Sequence, residues 1–215
     1  EVYNYTEIKA ELLNDYTFKT QTDTEVVLAA WIKWGEKSLD KFIGMFAFAI
    51  WDNLEEKLFA ARDRFGVKPF HYSIINQTLV FASEIKAIHA TGLIAKKSNE
   101  AIWATYLSSA LYDFNEETFW SGIYKLQAGS YLTWQNDKLA IHNWYNLPAK
   151  IKQDNRSVKD VEEELLFLLE DAIKLRFRSD VPVGVCLSGG LDSSLLLALI
   201  QRVKGKDFPI HAFTF

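Results

Sequence analysis

One cysteine, Cys186, is all the chain has, so no internal disulfide can form and zinc patterns built on two cysteines are excluded by count. A reducing, cytoplasmic setting fits that poverty. Long apolar runs are also missing. The longest, Phe42 to Trp51, is about half of the roughly 20 residues a membrane-spanning helix needs, and no basic-then-apolar segment opens the chain. Neither a membrane nor export is expected. Positive charge is in deficit, with 24 Lys and Arg against 28 Asp and Glu and a net charge of -4. The basic residues are scattered, so the concentrated surface that nucleic acid requires is absent and no nucleic-acid partner is expected. The four histidines, His71, His89, His142 and His211, lie in different elements without ligand spacing, which argues against zinc.

What the chain does have is apolar mass: 49% of its 215 residues are hydrophobic, including fifteen Phe, nine Tyr and seven Trp. That is ample for packed cores in one large or two small domains. The aromatics read as core rather than as a base-stacking surface, because no basic residues interleave them. Glu1-Val2-Tyr3-Asn4 at one end and His211-Ala212-Phe213-Thr214-Phe215 at the other both read as cut inside structure.

Thr22-Asp23-Thr24-Glu25 matches a capping box, predicting a helix from Asp23 to Trp34 that Gly35 ends. The period then changes. Met45–Trp51, Lys57–Ala61, Phe70–Ile75 and Thr78–Ala82 are short aromatic-rich runs separated by turn residues, as in antiparallel hairpins. Helices near 84–90 and 100–111 follow, then strands near 130–134 and 139–144 around a Gln135-Asn136-Asp137-Lys138 turn. Residues 148–156 are polar and read as a linker between a first domain, 1–147, and a second, 157–215. Ser157 and Asp160 form a second capping box, and Val161, Leu165, Leu168, Leu169, Ala172 and Ile173 form an apolar helical stripe. Val181–Leu187 is a continuous apolar run, the pattern of a parallel strand buried on both faces, which would leave Cys186 a small core hydrophobe. A glycine-rich loop, a helix over 195–203 and a second apolar strand over 209–215 complete a strand–loop–helix–strand unit of the doubly wound α/β class.

The loop, Ser188-Gly189-Gly190-Leu191-Asp192-Ser193-Ser194, carries the chemistry. A loop leaving a parallel strand and entering a helix presents unpaired N–H groups at the positive end of the helix dipole, and anions bind there. Gly189 and Gly190 let phosphate oxygens approach the main chain, and three serines add hydroxyl donors. Asp192 would repel a bare phosphate, so a carboxylate at this place points to a bound Mg²⁺. Neither Gly-x-x-x-x-Gly-Lys-Ser/Thr, Gly-x-Gly-x-x-Gly nor the hydrolase elbow Gly-x-Ser-x-Gly is spelled. The bland alternative is a strand-to-helix turn with no ligand.

Residues 181–194 resemble the start of the synthetase domain of glutamine-dependent asparagine synthases, members of the ATP pyrophosphatase group. The resemblance implies that Ser188, Gly189, Gly190, Asp192, Ser193 and Ser194 hold pyrophosphate, with Asp192 on Mg²⁺, that Leu187 contacts the nucleotide and that Phe215 lies against adenosine. It extends to the first domain through Glu1-Val2-Tyr3-Asn4, Asp23-Thr24-Glu25-Val26, Ala61–Pro69 and Phe81–Ala87. The implied fold there is the class II glutaminase, an N-terminal-nucleophile hydrolase-like sandwich of two antiparallel sheets between helices, giving an α+β first domain ahead of the α/β one. Glu1 and Asp23 match acidic positions that bind the α-amino end of glutamine, with helix capping the plain alternative for Asp23. Arg62-Asp63 reads as a structural turn and ion pair. The family's cysteine nucleophile has no match, so no catalytic residue is assigned and the chain alone is expected to complete neither half-reaction. The resemblance implies glutamine, aspartate and ATP with Mg²⁺ as small-molecule partners, no prosthetic group, and a homodimer as the assembly to test. Two alternatives stand beside it: an amidotransferase acting on a sugar acid or a β-lactam precursor, and a non-catalytic nucleotide-binding module.

Overall fold

The computed structural model describes residues 1–214. It divides into two compact units, Glu1–Ile151 and Lys152–Phe215, and Phe215 itself lies outside the described residues. All seven tryptophans and all nine tyrosines belong to the first unit.

The first unit begins with α1 (Tyr5–Leu12) and α2 (Asp23–Trp34). Thr22 caps α2 by accepting the Glu25 N–H, and Gly35 ends it at φ +58°. The capping box is only half formed. Instead of reaching back to residue 22, the Glu25 carboxylate accepts from the Lys19 N–H (2.8 Å), the Thr20 N–H (2.6 Å) and the Thr20 hydroxyl (2.5 Å). The Thr20 hydroxyl foremost, helped by those N–H groups, holds its carboxyl below the usual carboxylate range. The approach to the helix offers more donors than one cap residue could, and the carboxylate takes them. A short turn, α3 (Ser38–Lys41), leads into the strands.

Strands β1 (Ala47–Asp52), β2 (Lys57–Arg62), β3 (His71–Ile75) and β4 (Thr78–Ala82) form two hairpins. After α4 (Ile85–Ala90) and α5 (Glu100–Ser109) come β5 (Tyr124–Lys125), β6 (Ser130–Gln135) and β7 (Lys138–Asn143). The strands assort into a four-stranded antiparallel sheet, β1-β2-β6-β7, and a three-stranded one, β4-β3-β5. Both two-residue hairpin loops hold positive φ at both positions, Asn76 and Gln77 in one, Asn136 and Asp137 in the other. Turns of that kind match the right-handed twist of the strands they join.

Strand β2 shows why the sheets stack. Its side chains alternate between faces, and both faces are buried: Phe59 and Ala61 enter a core with Ile8, Leu12, Val26, Ala30 and Phe42, while Leu58 and Ala60 enter another with Phe70, Tyr72, Leu126 and Leu132. The first core lies under α1 and α2, the second between the sheets, and α4 packs on β3 and β4. The order is therefore helices, sheet, sheet, helix, the expected sandwich of two antiparallel sheets between helices. Phe59 stacks on Trp31 at 4.0 Å between ring centroids, and truncating it to Ala should cost about 3–5 kcal/mol.

A short helix, α6 (Leu147–Lys150), closes this unit. The second unit holds α7 (Val158–Arg176), β8 (Gly184–Cys186), α8 (Leu191–Lys204) and β9 (His211–Phe213). β8 and β9 pair in parallel across the α8 connection, the unit that opens a doubly wound sheet. Ile173, Val185, Leu199 and Ile200 form its core, with Leu166, Leu169 and Phe177 packed against them. Two expectations fail here. β8 is buried on one face only, at Val185, and Cys186 is exposed. The α7 face used for packing runs through Leu166, Leu169 and Ile173, whereas Leu165 and Leu168 stay open to solvent. The physical reason is the same for both. Among the described residues this sheet has two strands with a core on one side, so apolar side chains on the other side have nothing to meet.

Candidate functional sites

In the first unit a cavity of about 340 Å³ opens beside the start of α2, walled in part by Glu1, Asp23, Met45, Lys68 and Ser83. Five segments bring these together. Residues 1–3 run antiparallel to 43–45. The Glu1 and Met45 main chains exchange two hydrogen bonds (2.7 and 3.0 Å), and the Tyr3 N–H donates to the Ile43 carbonyl (2.8 Å). Because alternate residues face opposite ways, burying Val2 (3% exposed) in the core sends the Glu1 side chain outward. Asp23 is the first residue of α2 rather than its cap, which is Thr22, so the capping alternative fails. Its Oδ2 accepts the Val2 N–H at 3.0 Å, tying the 1–3 segment to the helix.

Lys68 reaches the cavity because its main chain is gripped on both sides. Its N–H donates to Asp63 Oδ2 (2.9 Å) and its carbonyl accepts from Arg62 Nε (2.7 Å). The expected Arg62–Asp63 ion pair is not what this turn contains. Asp63, 1% exposed, spends its carboxylate on the N–H groups of Phe46, Phe65, Val67 and Lys68. Arg62 donates to the carbonyls of Gly66, Lys68 and Leu126. Burial lowers the Arg62 pKa, although the nearby Asp63 charge acts the other way. Both charges are committed to the main chain because a seven-residue turn leaves many peptide groups out of any ladder.

Two carboxylates and an ammonium around one cavity complement a zwitterion: Glu1 and Asp23 can accept from an ammonium, Lys68 can donate to a carboxylate. Lys68 and Ser83 were not nominated from sequence. The signal was the lysine two residues after the glycine of the turn, but only long-range contacts such as Arg62 to Leu126 hold that turn at the cavity.

In the second unit the loop follows Leu187, whose N–H donates to the Phe213 carbonyl (2.7 Å) and whose side chain packs partly into the core. Ser188, Gly189, Gly190, Asp192 and Ser194 are exposed and Ser193 is buried. The helix starts at Leu191, four residues earlier than expected, so Asp192, Ser193 and Ser194 occupy its first turn. Gly190 stands at the cap position and no side chain caps the helix, which leaves first-turn N–H groups for solvent or an anion. The Ser193 and Ser194 hydroxyls donate to the Gly190 carbonyl (3.2 and 2.9 Å), and the Ser188 and Ser193 hydroxyls lie 3.3 Å apart. Gly189 has φ +78° with open space where a Cβ would project. The Phe215 position expected against adenosine lies outside the described residues. Among the described residues no three His, Cys, Asp or Glu side chains gather as a metal site. A single exposed carboxylate beside free N–H groups therefore fits Mg²⁺ only in the mode where phosphate oxygens and water supply most ligands.

Comparison with known proteins finds a match in each unit. Residues 1–145 match the family model described as a glutamine amidotransferase domain, and residues 164–215 match that of asparagine synthase. A putative glutamine-hydrolysing asparagine synthetase of Methanocaldococcus jannaschii is 40% identical over all of this chain and 41% of its own length. A glutamine-hydrolysing asparagine synthetase of Bacillus subtilis is 36% identical over all of this chain and 29% of its own. The amidase chry2 of Gibberella zeae is 34% identical over 94% of this chain and 30% of its own. The chain thus spans about a third of the length of these relatives. Among solved structures, the glutamine phosphoribosylpyrophosphate amidotransferase of B. subtilis superposes with a TM-score of 0.48 and 17% identity, covering 99% of this chain and 43% of that one. With two thirds of its residues matched by one model and laid out as two antiparallel sheets, the chain belongs to the glutamine amidotransferase domain family.

Proposed function

We propose that this chain is part of a glutamine-dependent carbon–nitrogen ligase that makes asparagine from aspartate, with glutamine as the amido donor and ATP as the energy source. The observation that carries the reading is the pairing, on one chain, of a cavity with zwitterion-complementary charges and an uncapped strand–loop–helix with a free carboxylate in its first turn. Glu1 and Asp23 would hold the glutamine ammonium. Water replaces the side-chain amide, releasing glutamate and ammonia; no cysteine of the kind the family uses as nucleophile stands in the cavity wall.

In the second unit the aspartate side-chain carboxylate attacks the α phosphorus of ATP, forming the acyl–phosphate bond and expelling pyrophosphate. Leu187 would sit beside the nucleotide. The free N–H groups at the start of α8 would receive the leaving group from fixed main-chain positions, while the Ser193 and Ser194 hydroxyls would turn to it from the Gly190 carbonyl. Bound Mg²⁺, held by Asp192 and phosphate oxygens, would supply charge neutralisation. Ammonia then attacks the acyl carbon and AMP departs, leaving the amide. Small molecules account for every partner this chemistry needs, and a cytoplasm supplies them all. No helix among the described residues is long and apolar enough to cross a membrane.

The test is calorimetry and turnover on the full-length enzyme. Wild type should form asparagine, AMP and pyrophosphate in equal amounts from glutamine, aspartate and ATP. Asp192→Ala should weaken Mg-ATP binding at least about tenfold, a loss of about 1.4 kcal/mol; unchanged affinity would refute the metal role. The amidase relative favours one second reading, in which the same activation acts on another carboxylate. AMP release driven by a different acid, with aspartate inert, would establish it.

A further inference from the structure

Among the described residues the Glu1 carboxylate makes no hydrogen bond or ion pair, while the main chain that carries it is held firmly. That main chain lies against residues 41–45 at unusually close range. Val2 and Gly44 face each other in an antiparallel bridge. A Cβ built on Gly44 would stand 2.1 Å from the Glu1 carbonyl oxygen and 2.9 Å from the Val2 Cα. Both are main-chain atoms, so no side-chain rotation relieves the overlap; the 1–2 segment would have to back away. The Asn4 side chain completes the clamp, donating through Nδ2 to the Lys41 carbonyl (2.9 Å) and accepting through Oδ1 from the Ile43 N–H (2.8 Å). Those two bonds mimic a strand pairing at the point where the chain turns into α1, and they fix the register in which Val2 points inward and Glu1 outward.

We infer that Asn4 and Gly44 are positioning residues of the amino-acid cavity, setting where the Glu1 carboxylate stands relative to Asp23. Neither residue lines the cavity, so they act through Glu1. The inference rests on the proposed glutamine site and specifies what holds it in shape. Asp23 belongs to the same device, since its Oδ2 grips the Val2 N–H and so reads the placement of the segment directly. A retreat of about 1 Å by residues 1–2 breaks that bond and separates the two carboxylates that share one ammonium.

The experiment uses the full-length enzyme with two nitrogen sources. Gly44→Ala should raise KM for glutamine about tenfold or more, while synthesis from added ammonia stays within about twofold of wild type. Asn4→Ala should raise it by about threefold to tenfold, and Asn4→Asp, which keeps the acceptor for Ile43 but not the donor to Lys41, should fall between it and wild type. Thermal melting of each variant guards against simple unfolding, and Asn4→Ala, which removes only a surface pair of bonds, is informative even where Gly44→Ala does not fold. A glutamine KM unchanged in Asn4→Ala, or glutamine- and ammonia-dependent rates that fall together in a folded variant, overturns the inference. A wild type that uses ammonia but never hydrolyses glutamine instead removes the reading beneath it, and the inference with it.

Discussion

Replacing Asp63 by asparagine isolates what the buried carboxylate does for the turn at residues 62–68. Oδ1 receives the N–H groups of Phe65 (3.2 Å) and Val67 (2.9 Å), and Oδ2 those of Phe46 (3.2 Å) and Lys68 (2.9 Å). An asparagine has the same shape but only one acceptor, so one pair of N–H groups must face an NH₂ donor. Two hydrogen bonds to a charged acceptor are lost, each worth about 1.5–3 kcal/mol, for a total of about 3–6 kcal/mol. Against a typical total stability of about 5–15 kcal/mol this is a large fraction. For a domain of this size each kcal/mol moves the midpoint by about 2–4 °C, so the melting transition of the first unit should fall by at least about 6 °C. Differential scanning calorimetry of the chain reads it, and the transition of residues 152–215 should stay in place. A drop below about 2 °C would show that the N–H groups find other acceptors, and the account of how Lys68 is aimed would go with it.

Three further outcomes follow from single residues. Burial pushes His71 below its ordinary value of 6.5; the Ser83 carbonyl, which can only accept and so fixes the proton on Nδ1, acts the other way, and Arg62 and Lys125 add to the lowering. With the folded pKa depressed, stability is full above the ordinary value and is lost as pH falls through the folded one; His71→Gln should flatten that acid limb in urea titrations, and an unaltered limb rejects the assignment. Gly189→Ala, forced to φ +78°, should weaken Mg-ATP binding about fivefold through backbone strain of about 1 kcal/mol. Gly190→Ala at φ -78° should leave stability alone, so any loss of binding there reports a ligand pressed against the main chain.

Local chemistry made much of this architecture readable. Thr22 and Gly35 bracket α2, and Asn76-Gln77 and Asn136-Asp137 adopt the positive φ their turns demand. Helix α1 escaped notice because its buried stripe is only Ile8 and Leu12 in a charged segment. β5 is two residues long and exists through pairing with β3, which no local pattern announces. On α7 the leucines offer two adjacent stripes, and only the placement of Val185 and Leu199 selects one. At the sites, the loop over 188–194 was marked by residue type and order, and Glu1 and Asp23 by the family resemblance alone. Lys68 was not, because what aims it is a carboxylate and a guanidinium bonded to distant peptide groups.

The confinement of every tryptophan and tyrosine to residues 1–151 makes the two units optically separable. Within residues 1–215, indole emission comes only from the amidotransferase unit. Residues 152–215 carry phenylalanine as their sole aromatic chromophore, so they are nearly dark in the near ultraviolet and contribute almost nothing at the wavelengths where a bound adenine absorbs.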